Sequence, residues 1–167
     1  MNLLTRGVVA LANSASKLQT LQMRLTHGEV KDGMEHLEPY GFTSCPHEGA
    51  EGLAAFMGGD RSHGVVIVVA DRRYRLQALA AGEVAIYTDE GDKIHFKRGR
   101  IIDIETETLN ISASTSVNFD TPTITQTGKI VSQGDQVAGG VSQINHLHSG
   151  VQAGNGQSGP PVPGGGA

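Results

Sequence analysis

The sequence predicts an all-β chain: a small barrel first, then an extended β-structure that several copies of the chain complete together. Three observations predict it. Residues 64–70, Gly-Val-Val-Ile-Val-Val-Ala, form an apolar, β-branched run of the length of a buried strand. From Ile101 to Val131 the side chains alternate with a period of two, which places them on opposite faces of extended chain. From Leu109 onward the last 59 residues carry three charged side chains, Asp120, Lys129 and Asp135, and one aromatic, Phe119.

Composition narrows the class. A length of 167 residues allows one or two small domains, and a net charge of −4 argues against a nucleic-acid-binding surface. No apolar run reaches the roughly 18 residues of a membrane span. The opening Met-Asn-Leu-Leu-Thr-Arg lacks the charge pattern of a secretory signal. One cysteine, Cys45, excludes an internal disulfide framework and fits folding in a reducing cytosol. Cys45-Pro46-His47-Glu48 offers too few ligands for a structural zinc site and reads as a loop.

Taken in order, residues 3–25 predict an amphipathic helix. Leu4, Val8, Leu11, Ala15, Leu18, Leu21 and Leu25 recur at steps of three or four, and Gly7 weakens the first turn. Such a helix packs on its own domain or docks a partner. Residues from 22 to about 85 predict a compact barrel of the OB-fold kind. Lys31-Asp32-Gly33 and Glu38-Pro39-Tyr40-Gly41 are turn signals, and Gly64–Ala70 is the central strand. Arg72-Arg73-Tyr74-Arg75 reads as a solvated strand end.

Val84, Ile86 and Thr88 alternate, Asp89-Glu90-Gly91-Asp92 reads as a hairpin turn, and Ile94 and Phe96 resume the pattern. Lys97-Arg98-Gly99-Arg100 reads as a solvated corner. Beyond it Ile102, Ile104, Thr106 and Thr108 share one parity. Leu109, Ile111, Ala113, Thr115, Val117 and Phe119 share the other, so a corner or bulge falls near Thr108. An eight-residue spacing is superimposed, pairing Ile94 with Ile102, Phe96 with Ile104, Leu109 with Val117 and Ile111 with Phe119.

This tract cannot stabilise itself alone. Ordering backbone costs about 1–2 kcal/mol per residue, and its thin apolar content does not offset that. Disordered segments are usually rich in charge, whereas this one is rich in Thr, Ile and Val. It reads as an intertwined β-structure of several copies, taken here as three.

Gly134, Gly139 and Gly140 then break the pattern, and His146 and His148 follow two apart. On extended chain both imidazoles point one way, about 6–7 Å apart. One chain offers two nitrogen ligands, and three chains about a threefold axis offer six. Six imidazoles point away from zinc and toward iron or nickel.

These residues carry a resemblance. The tract 101–131, then His146-Leu147-His148-Ser149-Gly150-Val151-Gln152, then the Gly-rich run ending Gln157-Ser158-Gly159-Pro160-Pro161, together resemble the central tail spikes of contractile-tailed phages. This is the baseplate assembly protein V family, and the chain looks most like its Mu-like members. Leu147 stands where polar residues are common in that family. The resemblance implies an N-terminal helical or flexible segment (1–21), an OB-fold-like collar (22–86), a triple-stranded β-helix shaft (87–137) and a metal-capped apex (138–167). It implies one iron ion per homotrimer, held by His146 and His148 of each chain. It implies a structural, non-enzymatic spike at the tail baseplate tip of the virion, made in the host cytoplasm. Its partners would be tail hub and baseplate proteins, and sheath contraction would drive it through the host outer membrane. Small Ser112, Ser114 and Ser116 would keep the shaft slim.

Three alternatives compete. A sugar- or receptor-binding fibre tip needs distal aromatics, and none follows Phe119. A metallohydrolase needs a carboxylate near the histidines, and the last acid before them is Asp135. The spike of a type VI secretion-like injection machine is a near relative of the leading reading.

Overall fold

Strands, not a helix, begin this protein. In the structure, a computed structural model that describes residues 3–150, 152, 154 and 155, β1 (Leu4–Asn13) and β2 (Thr20–Leu25) form an antiparallel hairpin. The helix expected over 3–25 is thus corrected, and the reason is a bulge. The ladder slips between Val9 and Leu11, which shifts the phase of β1 by one residue. Leu4, Val8 and Leu11 therefore share the exposed side of a bulged strand, at the steps of four and three that imitate a helix. Thr5 and Val9 point into the core, and β2 buries Leu21, Met23 and Leu25 at strict period two.

Gly7 has a different role from the one its sequence context suggested. A Cβ there would stand 2.8 Å from the carbonyl oxygen of Arg24 and 2.8 Å from Cδ2 of Leu25. The carbonyl belongs to the paired backbone and cannot swing aside. Gly7→Ala is therefore expected to lower the stability of the barrel by about 1–3 kcal/mol, the usual cost of overpacking, as read from denaturant midpoints of the two proteins.

β3 (Val30–His36), β4 (Glu51–Phe56) and β5 (Gly64–Ala70) complete a closed barrel in the order β1-β2-β3-β5-β4. All its pairings are antiparallel except β3 with β5, which run parallel at Glu35↔Val65 and His36↔Val66. The barrel thus starts at Leu4 rather than at residue 22. Lys31-Asp32-Gly33 is not a turn but a bulge inside β3, with Gly33 at φ +64° and its N–H donating to Asp32 Oδ1. The second signal is a turn: Phe42 N–H donates to Pro39 O at 3.0 Å, and Gly41 sits at φ +86°, the type II arrangement. Val9, Leu21, Met23, Leu25, Met34, Ala50, Ala54, Phe56 and Val66 fill the interior, as in any barrel this narrow. The helical turns among the described residues are two short 3-10 turns, Thr26–Gly28 and Met57–Gly59.

The run Gly64–Ala70 is a strand as expected, although only Val65 and Val66 are buried and Ile67 and Val68 are exposed. After it, Asp71 Oδ1 accepts the N–H of Arg73, and Arg72 and Arg73 pair with Glu51 and Asp71, so this basic run is a solvated strand end. A separate antiparallel sheet follows: β6 (Val84–Tyr87), β7 (Lys93–Lys97) and β8 (Ile101–Glu105). The hairpin at Asp89–Asp92 is closed by Thr88 N–H donating to Asp92 O at 3.0 Å. Two short strands, β9 (Val137–Ala138) and β10 (Val141–Ser142), form a further hairpin. The chain divides into two compact units, 1–112 and 113–167.

Candidate functional site

The β6–β8 sheet has one apolar and one polar face, and its register explains why. Val84, Phe96 and Ile102 lie directly opposite one another, as do Ile86, Ile94 and Ile104. Period two puts all six on one side, and all six are exposed. On the other side Ala85, His95 and Asp103 form one row and Tyr87, Lys93 and Glu105 the next. Lys93 pairs with Glu105 at 2.6 Å, and Lys97 pairs with Asp103. Antiparallel sheets commonly alternate in this way when one face packs and the other is solvated.

Glu83 clasps the start of this sheet. It accepts the N–H of Arg98 at 3.1 Å, the N–H of Ala80 at 3.0 Å, and a bond from His95 Nε2 at 3.1 Å. The Arg98 and Ala80 amides, with a smaller part from His95, hold its carboxyl below the ordinary 4.5. A lowered carboxylate pKa stabilises the fold above the unfolded value, and that contribution is lost as pH falls through the folded value. Glu83→Ala is therefore expected to lower the denaturation midpoint at neutral pH. Wild type and variant should converge below pH 4.5, which a pH series of denaturant titrations reads out.

Beyond β8 the chain forms no further strand before β9, and its backbone is unpaired. Residues 109–134 make no backbone–backbone hydrogen bond with one another or with any other described residue. Their bends are held by side chains reaching two residues on: Thr121 Oγ1 to Thr123 O, Gln126 Nε2 to Gly128 O, and Ser132 Oγ to Gly134 O. Leu109, Ile111, Val117, Phe119, Ile124, Ile130 and Val131 are all exposed, Phe119 by 67% and Val131 by 78%. Exposed apolar side chains beside unpaired backbone are the two groups that folding normally satisfies together.

The hairpin after this tract is built by Asp135. Gly139 and Gly140, at φ +58° and +82°, form the two-residue turn between Ala138 and Val141. Ile144 N–H donates to Asp135 Oδ1 at 3.1 Å. The hydroxyl of Ser142, then the nearby backbone N–H groups, hold the Asp135 carboxyl below its ordinary range. This hairpin delivers His146, whose Nδ1 lies 2.9 Å from the carbonyl oxygen of Ser142. A carbonyl only accepts, so Nδ1 carries the hydrogen and Nε2 is the nitrogen left to act as a ligand.

His148 follows with its ring centroid 4.9 Å from that of His146, edge to face. The pair sits after a turn rather than on a strand, which brings the rings closer than extended chain would. Leu147 between them is exposed. One fixed imidazole with a free nitrogen, and a second beside it, is the donor chemistry of a metal site, and a backbone carbonyl on the other nitrogen is the usual support for such a ligand. Among the described residues, no three metal-ligating side chains of one chain cluster. Val151 and the run Gln157–Pro161 lie outside the described residues.

The sequence singled out both histidines but missed Asp135, Ser142 and Glu83. The Gly139-Gly140 pair was the available signal for the hairpin. Nothing in the sequence distinguishes Glu83 from a solvated carboxylate. Cys45 is exposed, and its neighbour His47 pairs with Asp89 at 3.0 Å.

Known proteins resemble this chain along most of its length. Residues 6–73 match the family described as Bacteriophage Mu Gp45, N-terminal, and residues 140–162 match the GpV Apex motif. The baseplate puncturing device gp45 of Escherichia phage Mu is 36% identical over 170 residues, covering 91% of this chain and 86% of its own. The Mu-like prophage FluMu protein gp45 of Haemophilus influenzae is 37% identical over 158 residues, covering 87% of this chain and 86% of its own.

Proposed function

The chain belongs to the Mu Gp45 family of phage baseplate proteins, and on that premise we propose that it is the central spike of a contractile tail. The family is structural rather than enzymatic, its phage Mu member being named a baseplate puncturing device. In this reading three chains form one spike, which sheath contraction drives through the host outer membrane. The collar at its base docks on the tail hub.

One observation carries the reading: the unpaired backbone and exposed apolar side chains of residues 109–134. Neighbouring chains supply the missing partners. Each copy's N–H and C=O groups pair with those of the next, and the apolar side chains meet inside. A closed three-chain β-helix leaves few free strand edges, so it resists both aggregation and bending. Neighbouring chains likewise cover the apolar face of β6–β8 in this reading, and its charged face is solvated. The barrel order β1-β2-β3-β5-β4, closed on itself, supports an OB-fold collar.

At the tip, His146 and His148 of three chains would hold one iron ion, and a match to the GpV Apex motif covers both positions. When bound, the ion supplies a cross-link between three chain ends that would otherwise fray. The residues present fit that role: the Ser142 carbonyl fixes the orientation of His146, and Asp135 fixes the hairpin that carries it.

Gold-labelled antibody against the barrel tests the assignment on particles that carry this chain. Label at the tail baseplate is expected. Particles that infect normally and carry no copy of the chain on the tail would contradict it.

A further inference from the structure

A groove of about 670 Å³ runs between the barrel and the β6–β8 sheet, and its walls suit a protein occupant. Ile67, Leu37, Phe42, Tyr74 and Ile86 line it, all at least partly exposed. Polar groups also stand in the wall, His36, Ser44 and Asp89 among them. His36 is 5% exposed, and its Nδ1 lies 3.0 Å from Gln19 Oε1. Gln19 Nε2 donates to Ser44 O at 2.6 Å, so its Oε1 is the acceptor and His36 Nδ1 the donor. The remaining ring nitrogen of His36 is therefore an acceptor. A mainly apolar lining with a few placed polar groups is the usual make-up of a specific binding surface.

Local hydrogen bonds hold the backbone of the rim. Glu38 Oε1 accepts the N–H of Ser44 at 2.7 Å, and its Oε2 accepts the hydroxyl of Thr43 at 3.0 Å. The type II turn at Pro39–Phe42 holds Tyr40 and Phe42 in solvent. The His47–Asp89 pair ties this loop to the β6–β7 turn. A backbone already held in place loses little further entropy on binding.

Continuity identifies the occupant. Ile86 lines this groove and also belongs to the apolar face that the proposed trimer buries. A neighbouring copy seated on that face reaches the groove without leaving the surface. We infer that the groove between barrel and sheet is filled by a second copy of this chain, so the collar as well as the shaft holds the trimer together. The inference rests on the three-chain reading above and adds to it a location and a set of contacts.

Cys45 reports on it. The chain has one cysteine; it is exposed in the single chain and lines the groove. The test is the rate at which a maleimide labels Cys45 in the full-length protein, with native mass spectrometry on the same sample. Three chains and labelling slowed about tenfold or more against unfolded protein are expected, because a covered thiol reacts only from opened molecules. Ile67→Asp changes a side chain that is exposed in the single chain, and should restore fast labelling while the shaft keeps three chains together. Three chains with fast labelling would overturn the groove's occupant and leave the trimer standing. Protection that arises only in assembled baseplates would assign the groove to another protein and overturn the inference. A single chain by mass would overturn both.

Discussion

Ile104→Asp is expected to convert the assembled protein into single chains. Ile104 stands at the end of the row Ile86–Ile94–Ile104, and it is 54% exposed in the isolated chain. Replacing it therefore removes little from the fold of one chain, and the barrel core, which it does not touch, stays intact. In a three-chain shaft the same change places three carboxylates in one apolar layer. Each buried charge costs several kcal/mol even after relaxation, and the three repel one another. The lost isoleucine contacts add about 1.5–3 kcal/mol per chain. Size-exclusion chromatography with light scattering should show a monomer whose circular dichroism still reports the barrel. An unchanged assembly would mean that the apolar face is not the inner face.

The second large effect concerns the tip. The double change His146→Ala with His148→Ala should abolish metal binding at the proposed apex and leave the proposed trimer otherwise intact, because the contacts proposed for its shaft lie in residues 109–134. Where free metal exceeds its Kd a thousandfold, its loss removes about 4 kcal/mol of stabilisation. That loss falls on the apex, so limited proteolysis should cut near residues 143–150 first, with the shaft still resistant. Elemental analysis checks the metal and mass spectrometry of the fragments checks the cut. His146→Ala alone also removes the contact to Ser142, so it should disturb the hairpin more than His148→Ala does. Retention of metal in the double variant would exclude the histidines as ligands.

How far the sequence reached can be judged element by element. The central strand at 64–70 was legible because buried strands concentrate β-branched residues. The hairpin at Asp89–Asp92 was legible because its turn chemistry is local. The first strand was not, since a single bulge near Ala10 turned a two-residue period into helix-like steps of four and three. The same effect hid the bulge at Asp32-Gly33, where a turn signal sits inside a continuous strand. The tract after β8 was legible as chain without a core of its own, because poverty in charge and core residues is visible in composition, and the structure leaves its backbone unpaired and its apolar side chains exposed. The histidine pair was legible as a pair. Its supports were not: Asp135 and Ser142 act through backbone groups that folding brings within reach, and the same holds for Glu83 at the start of the β6–β8 sheet.

The central claim is that three copies of this chain share one β-structure closed by one metal ion. Native mass spectrometry of the purified full-length protein, with the metal identified by elemental analysis, tests it most directly. The account predicts the mass of three chains plus one iron. A monomer would contradict it, because the unpaired backbone and exposed apolar side chains of residues 109–134 would then have no partner at all.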